Sequence, residues 1–326
     1  MSLADFIEKS RTRLATRGTD ALGPIAKDFA TSALVRIYRR LDPDLGYRIY
    51  DRDWDMLLIL DAARADIYFE VAGRGRADLS CASASREWMA KSFAPEYREE
   101  MARTAYVTAN PFSADLDPTE FGLLDEVWRT EWDEERGTVP PEPVSDHAIA
   151  AARSGEYERV LVHYMQPHFP FIGADAQFGR MSRANFGDGD NAENVWPRVA
   201  LGDLSAQAVI EAYRQNHRYI YEHVQQVLGN AEGIVAISAD HANALGEWGA
   251  WGHRQYLPVP ALRTVPWDVR ACRDERTYNP GSVEPVLRSA GTKRDGDTDR
   301  DTSAGSDRAA TNGTVEDRLR QLGYRE

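Results

Sequence analysis

Apolar residues along the chain fall into two patterns, short continuous runs and longer runs with helical spacing. The continuous runs predict strands that are buried on both faces of a parallel sheet, and they are Met56–Leu60, Ala105–Thr108, Val160–Val162 and Gly233–Ile237. Helical spacing predicts helices between and around them, over Glu87–Phe93, His147–Arg153 and Ala206–Leu228. This alternation predicts an α/β fold, a three-layer α/β/α sandwich with a mostly parallel central sheet.

The remaining segments set the expected boundaries of the domain. The pattern of residues 1–50 predicts a helical segment. Its apolar stripe favours packing on its own domain over lying on a membrane. Residues 51–272 are predicted to form the α/β domain. Residues 172–205, rich in Gly, Asp and Asn, are typical of a binding loop. Residues 273–313 are polar and predict a disordered acidic linker, and residues 314–326 return to helical spacing.

Charge and composition narrow the classes of partner. The net charge of -13 argues against a nucleic-acid partner, because phosphate binding requires a basic face. Cys81 and Cys272 are too few for a disulfide framework or a cysteine metal site. No stretch approaches the roughly 20 apolar residues that span a bilayer. The polar N-terminal residues do not resemble a signal peptide, so we expect a cytoplasmic protein.

Ionisable side chains follow several of the predicted strands. Ligands in open α/β sheets bind beyond the carboxyl ends of the strands, so these side chains are expected to share one edge. Carboxylates and imidazoles together suit a divalent cation. The candidates are Asp61, His168, Asp240, His241 and His253.

A serine-rich stretch supplies a candidate nucleophile. Ser85 comes just before the apolar positions of the helix beginning near Glu87, so it is expected at the N-cap, with Ser83 as the alternative. Backbone N–H groups and the positive end of the helix dipole stabilise an ionised oxygen at such a position. A serine that also contacts a metal becomes a nucleophile near neutral pH.

Other charged residues near these candidates have two interpretations each. Arg64 either holds an anionic substrate group or pairs with Asp66, and Arg86 leaves the same choice open. His163 lies inside a strand run and is expected to be a hydrogen-bonded core residue. His217 is expected on a solvated helix face.

In combination, these motifs resemble the sulfatase-like branch of the alkaline phosphatase superfamily, closest to short haloarchaeal sulfatase-like proteins. The matching segments read LILDAARAD, SREW, VTANPF, QPHFP and ADH, together with the final VEDRLRQLGYRE. The resemblance implies an alkaline-phosphatase-like fold and a metal held by Asp61, Ser85, Asp240 and His241. It further implies that His168 and His253 bind the transferred group or a second metal. One or two divalent ions are expected, of Zn, Mn, Mg or Ca.

Departures from the family pattern favour phosphate over sulfate esters. The Cys/Ser-x-Pro/Ala-x-Arg signal for formylglycine is missing around Cys81, and Asn243 stands where family members often have glutamate. We therefore expect a hydrolase or phosphotransferase that acts through a seryl intermediate on a small-molecule, lipid-headgroup or glycan ester, with peripheral membrane contact left open. The alternatives are a non-catalytic metal-binding protein and a formylglycine-independent sulfatase. A metal-independent Ser-His-Asp hydrolase ranks lower, because no Gly-x-Ser-x-Gly is present.

Overall fold

The structure is a computed structural model that describes residues 11, 14–15, 18–41, 45–187 and 194–288. The strands of this part of the chain are β1 (Met56–Leu60), β2 (Arg76–Leu79), β3 (Thr104–Thr108), β4 (Leu123–Asp125), β5 (Arg159–Tyr164), β6 (Gly233–Ser238), β7 (Ala244–Leu245), β8 (Trp251–Gly252) and β9 (Thr264–Cys272). Its α-helices are α1 (Leu22–Leu41), α2 (Ala65–Ala72), α3 (Ser85–Ser92), α4 (Arg98–Met101), α5 (Trp128–Glu131), α6 (Pro141–Ser154), α7 (Val195–Leu201), α8 (Ala206–Leu228) and α9 (Pro260–Arg263).

Seven of these strands form one mixed sheet, in the order β2-β9-β6-β1-β5-β3-β4. The pairs β6–β1, β1–β5, β5–β3 and β3–β4 are parallel, and β9 runs antiparallel to both of its neighbours. Strands β7 and β8 form a separate hairpin. The predicted α/β architecture with a mostly parallel sheet is confirmed.

Helices cover both faces of the sheet, as two consecutive residues of β5 show. The ring of His163 contacts Trp88 of α3, whereas the hydroxyl of Tyr164 is bonded to Ser145 of α6. Successive side chains of a strand point to opposite faces. Helices α3 and α6 therefore lie on opposite sides of the sheet and give three layers.

Strand β9 was missed by the sequence analysis because charged residues interrupt its apolar run. Asp268 is buried in the middle of this strand. Its carboxylate accepts hydrogen bonds from Tyr68 Oη at 2.9 Å and Arg270 at 2.7 Å. Tyr68, which is distant in the sequence, and Arg270, two residues away, thus satisfy a charge that is buried within a strand.

Helix α8 has the predicted bounds, but one of its histidines is not where the sequence placed it. His217 is buried, with Nδ1 2.9 Å from the carbonyl oxygen of Tyr213 and its ring against the Tyr213 ring. The expected solvated position is wrong, because α8 packs against both α2 and α6.

After β9, residues 273–288 still contact the domain, although their composition predicted disorder. Asp274 pairs with Arg153 at 2.8 Å, Val286 N donates to Asp125 at 2.8 Å, and Arg288 binds Glu126 at 2.7 Å. Residues 273–288 are therefore held by polar contacts where disorder was expected. The rest of the predicted linker and the predicted C-terminal helix lie outside the described residues.

Candidate functional site

Strand register brings three ionisable side chains to one face of the sheet. Ile59 of β1 pairs with His163 of β5 and with Ser238 of β6. Asp61 and Asp240 each lie two residues beyond these paired positions, so the pleat directs them to the same side as His163. One potential ligand atom from each of Asp61, His163 and Asp240 lies within 4.8 Å of the others, and all three residues are buried.

Ser85 and His241 complete this cluster, which we call the Asp/His site: Asp61, Ser85, His163, Asp240 and His241. Ser85 Oγ lies 3.4 Å from Asp61 Oδ2 and 3.3 Å from His241 Nε2. His241 Nε2 lies 3.5 Å from Asp61 Oδ1 and 3.5 Å from Asp240 Oδ2. The structure thus brings the four predicted metal-site residues together.

Ser85 occupies a different helical position from the one expected. It is the first residue of α3, and Ala84 is the N-cap residue, without a side-chain capping bond. The predicted N-cap position is therefore wrong by one residue. Because the Ser85 hydroxyl is turned towards Asp61 and His241 and caps no backbone N–H, it is available for chemistry at the site.

Ser83, the alternative nucleophile, has a structural set of contacts. Its hydroxyl lies 3.0 Å from Glu87 Oε2 and 3.0 Å from the carbonyl oxygen of Arg254, and it accepts from Leu257 N at 3.1 Å. These bonds tie the start of α3 to the loop after β8. The geometry favours Ser85 over Ser83 as the reactive hydroxyl.

The Asp/His site has the donor atoms that a divalent cation requires. Asp61 Oδ1, His163 Nε2 and Asp240 Oδ2 are buried and have no hydrogen-bond partner among the described residues. A buried polar atom without a partner costs about 1–3 kcal/mol, so three in one place need a common partner. Carboxylate oxygens and imidazole nitrogens are ligands of Zn and Mn, and these residues therefore fit a bound cation.

The other atoms of these ligands are oriented by hydrogen bonds. Asp240 Oδ1 accepts from the backbone N–H of Ala62 at 3.0 Å and of His241 at 2.8 Å. His241 Nδ1 lies 3.1 Å from the carbonyl oxygen of Ala242, which fixes the proton on Nδ1 and leaves the Nε2 lone pair free. This is the tautomer that binds a metal.

Burial and charge repulsion both act on the carboxylates of the Asp/His site when no cation is bound. Burial and the nearby Asp240 carboxylate raise the pKa of Asp61 well above its usual range. Burial acts to raise the pKa of Asp240 too, but His241 and His163 hold that pKa well below its usual range. A cation between the two carboxylates would remove the repulsion that raises the pKa of Asp61.

The sequence did not predict that His163 belongs to the Asp/His site or that Asn110 contacts it. His163 has the expected core hydrogen bond, Nδ1 to Tyr106 Oη at 2.9 Å, yet its Nε2 faces Asp240 Oδ2 at 3.7 Å. Asn110, in the VTANPF segment, donates to Asp61 Oδ2 at 2.9 Å. The position of His163 near the carboxyl end of a parallel strand was the available signal.

His168 and His253 border the Asp/His site. The His253 ring lies 4.3 Å from the His241 ring and 5.1 Å from the His168 ring, between centroids, and both residues are partly exposed. His253 Nδ1 lies 2.9 Å from Asn243 Oδ1. Burial and the neighbouring His241 lower the pKa of His168 to about 4, and they lower the pKa of His253 too. Both rings are therefore neutral near pH 7.

Arg64 and Arg86 differ in how many contacts their side chains make with the protein. Arg64 pairs with Asp66 at 2.7 Å and donates to both Glu247 Oε1 and the Asn243 carbonyl oxygen at 2.8 Å. These contacts favour the structural interpretation of Arg64, as a clamp on the loop that carries Asn243. Arg86 is largely exposed, pairs with Asp115 at 3.1 Å and covers the ring of Phe112.

Comparison with known proteins gives structural matches alone. No family model matches the chain, and no curated protein matches its sequence. The soluble domain of lipooligosaccharide phosphoethanolamine transferase A from Neisseria meningitidis is 13% identical, with a TM-score of 0.35, over 68% of this chain and 79% of that one. The C-terminal periplasmic domain of EcEptC from Escherichia coli, in complex with Zn, is 12% identical, with a TM-score of 0.42, over 71% and 77%. A putative sulfatase from Bacteroides thetaiotaomicron is 13% identical, with a TM-score of 0.34, over 66% and 64%.

These matched proteins are phosphoethanolamine transferases and sulfatases, the kinds of protein that the sequence motifs resemble. Because the identities and TM-scores are low, the function of this chain has to be argued from its own residues. The expected closeness to haloarchaeal proteins stays a prediction. Among the residues described, no helix is long and apolar enough to cross a membrane.

Proposed function

We propose that the protein is a divalent-cation-dependent hydrolase or transferase of phosphate esters, with Ser85 as the nucleophile. One observation carries this proposal. The Ser85 hydroxyl lies within 3.4 Å of Asp61 and 3.3 Å of His241, beside three buried donor atoms that lack partners in the described chain. A hydroxyl beside buried carboxylate and imidazole donors is the arrangement of a metal-activated nucleophile.

Asp61, His163, Asp240 and His241 would hold the cation, with Ser85 Oγ at its edge. When bound, the cation lowers the pKa of the serine hydroxyl and neutralises charge on the ester. Ser85 loses its hydroxyl proton to water and attacks phosphorus in line with the leaving oxygen. The phosphoseryl bond forms as the bond from phosphorus to that oxygen breaks, and the leaving group departs as an alcohol after taking up a proton from water. Water or an alcohol acceptor then takes the phosphoryl group from Ser85, giving hydrolysis or transfer.

His168 and His253 would hold a second cation that binds the oxygens of the transferred group. They border the cluster next to His241 and are partly exposed, so a substrate entering from solvent reaches them first. Their lowered pKa values keep them neutral near pH 7. Nδ1 of His168 faces the carbonyl oxygen of Phe169 and Nδ1 of His253 faces Asn243 Oδ1, so each ring keeps its proton on Nδ1 and presents the Nε2 lone pair, which suits a cation. This role stabilises charge as it develops in the transition state.

Phosphate esters are favoured over sulfate esters by the chemistry of the nucleophile. Ser85 and Cys81 both lack the surrounding residues that formylglycine formation requires. Cys81 is buried, and burial raises the pKa of its thiol, which makes it a poor nucleophile. An unmodified serine remains, and it suits phosphoryl transfer from a lipid-headgroup, glycan or small-molecule ester.

The decisive experiment compares wild type with Ser85→Ala and, as the matched control, Ser83→Ala. Each protein is loaded with Zn or Mn and assayed on an aryl phosphomonoester, an aryl phosphodiester and an aryl sulfate. We expect Ser85→Ala to lose activity by about three orders of magnitude or more, as removal of a nucleophile does. Ser83→Ala should keep its turnover but lose about 1 kcal/mol of stability with its hydrogen bonds.

Acid quenching of the wild type during turnover, followed by mass spectrometry, should show a phosphoryl group on the peptide that contains Ser85. Equal turnover by wild type and Ser85→Ala would overturn the assignment of the nucleophile. Activity on the sulfate alone would reverse the choice of ester. A protein that binds the cation at this site and turns over none of the three esters would instead be the non-catalytic metal-binding protein.

A further inference from the structure

Helix α1 packs on the domain with one face and exposes apolar side chains on another. Tyr38 is buried, and its hydroxyl accepts from Arg263 at 2.9 Å. In contrast, Ile37 is 58% exposed and Leu41 is 72% exposed, and Leu34 is exposed as well. Residues three and four apart share one face of a helix, so Leu34, Ile37 and Leu41 form a continuous apolar stripe that runs beside the buried Tyr38 and is open to solvent.

A second exposed apolar feature lies in a turn that packs against the same buried cluster as α1. Trp248, in the turn between β7 and β8, is 86% exposed and has a left-handed backbone, with φ of 55°. This conformation is strained for a residue other than glycine, and it holds the indole in solvent. Val35 of α1 and Ala250 of the same turn pack against one buried cluster, formed by Ala244, Leu257 and Leu262. The stripe and the indole therefore belong to neighbouring elements.

The charge of α1 is opposite to that of the protein. The chain has a net charge of -13, whereas the sequence of α1 contains four basic residues, Lys27, Arg36, Arg39 and Arg40, and one acidic residue, Asp28. Arg36, Arg39 and Arg40 are exposed. A basic helix with an exposed apolar stripe is complementary to a surface that is apolar inside and anionic outside.

We propose that Leu34, Ile37, Leu41 and Trp248, with the arginines of α1, form a docking surface for a bilayer that contains anionic lipids. The aliphatic side chains would enter the boundary between headgroups and acyl chains, and the indole would lie at headgroup level, where tryptophan is enriched. The arginines would contribute attraction to anionic headgroups. The helix lies in the plane of the membrane and does not cross it.

The docking surface is tied to the Asp/His site through the loop after β8. Arg254 donates to Ser32 of α1 at 3.1 Å, and its carbonyl oxygen lies 3.0 Å from the Ser83 hydroxyl at the start of α3. Arg39 of α1 lies over the ring of Tyr256. Membrane binding would therefore bring the site to the membrane surface, where a lipid-headgroup ester is available. The docking itself does not depend on the proposed reaction.

Flotation with lipid vesicles tests the proposal without any assay of turnover. The full chain is mixed with vesicles of phosphatidylcholine alone, or of phosphatidylcholine with phosphatidylglycerol, and bound protein is measured after centrifugation. We expect binding to the anionic vesicles, and we expect added salt to weaken it through screening. Ile37→Glu with Leu41→Glu should weaken binding by about tenfold or more, since two charges replace apolar side chains that would enter the bilayer.

Leu287→Glu is the matched control. Leu287 is 63% exposed and lies next to Val286, which is bonded to Asp125 of β4, at the opposite edge of the sheet from the Arg263 segment that α1 contacts. This variant should bind vesicles as wild type does. A second readout is Trp248→Phe, which should remove most of the blue shift of tryptophan emission that vesicles cause in wild type.

Three results would overturn the proposal: no binding of wild type to anionic vesicles, equal binding by wild type and the α1 double variant, or equal weakening by Leu287→Glu. Light scattering, which measures the mass of the particle in solution, tests whether the surface instead binds a second copy of the chain. A wild-type dimer that the double variant dissociates, without vesicle binding by either, would assign the surface to a second copy of the chain. Because vesicle binding is measured without substrate, failure of the catalytic proposal would leave these results unchanged.

Discussion

Asp61 and Asp240 follow the carboxyl ends of two neighbouring parallel strands, and each keeps one buried oxygen without a partner in the described structure. Burial and the Asp240 carboxylate raise the pKa of Asp61, so the ionised Asp61 opposes folding when no cation is bound. The same two oxygens would favour folding with a cation between them. The pair therefore makes opposite predictions for the metal-free and the metal-loaded protein.

Replacing Asp61 should separate these two effects. We expect Asp61→Asn to stabilise the metal-free protein at pH 7 by on the order of 1 kcal/mol, because it removes the repulsion and keeps an acceptor for Asn110. It should also abolish the rise in melting temperature that Zn or Mn causes in wild type. Calorimetric melting with chelator and with metal measures both. Asp66→Asn, on the exposed partner of Arg64, should keep the metal-dependent rise. A metal-free Asp61→Asn protein that melts below wild type would contradict the repulsion argument.

His163 is expected to contribute to cation binding through Nε2. Replacement by Gln removes one of the proposed ligands. The affinity for Zn or Mn should therefore fall by about tenfold or more. Isothermal titration calorimetry measures this affinity. His147→Gln is the matched control, since His147 is also a buried histidine, 2.7 Å from Asp125 and outside the site. Equal affinity in wild type and His163→Gln would return His163 to a purely structural role.

Arg64 is expected to hold the β7–β8 region in place rather than to bind substrate. Arg64→Ala leaves Glu247 and the Asn243 carbonyl oxygen without this partner and should cost about 1–3 kcal/mol of stability. Residues 244–252 should become more sensitive to limited proteolysis. Urea unfolding and a timed digestion provide the measurements. Unchanged stability together with a raised KM for the phosphate ester would place Arg64 at the substrate.

Acid should destabilise the protein in part through His217. Burial lowers the pKa of His217 to about 4 from its ordinary 6.5, so the unfolded chain takes up this proton first. The His217 contribution is complete above pH 6.5 and is lost as the pH falls from 6.5 towards 4, by up to about 3 kcal/mol. The stability of His217→Asn should fall less over this interval, as urea unfolding at several pH values would show. If the free energy of unfolding fell equally with pH in wild type and variant, the lowered pKa of His217 would be contradicted.

Local pattern was enough to identify the central strands and the long helices. The continuous apolar runs around Leu58, Val107, Leu161 and Val235 became strands that are buried on both faces. Strands β2, β4 and β9 could not be identified in the same way. They lie towards the edges of the sheet, and their polar residues are compensated by partners distant in the sequence, as Asp268 is by Tyr68.

The sequence by itself determined the chemistry available to this protein, because strands that end in Asp61 and Asp240-His241 have no apolar continuation and bring ionisable groups to one edge of a parallel sheet. Tertiary structure alone decided which atoms meet there. Register placed His163 beside Asp240, and helix α3 turned Ser85 inward while Ser83 was engaged by Glu87 and Arg254. The pairing between strands and the direction of a side chain depend on contacts between distant segments. Periodicity within one segment does not determine those contacts.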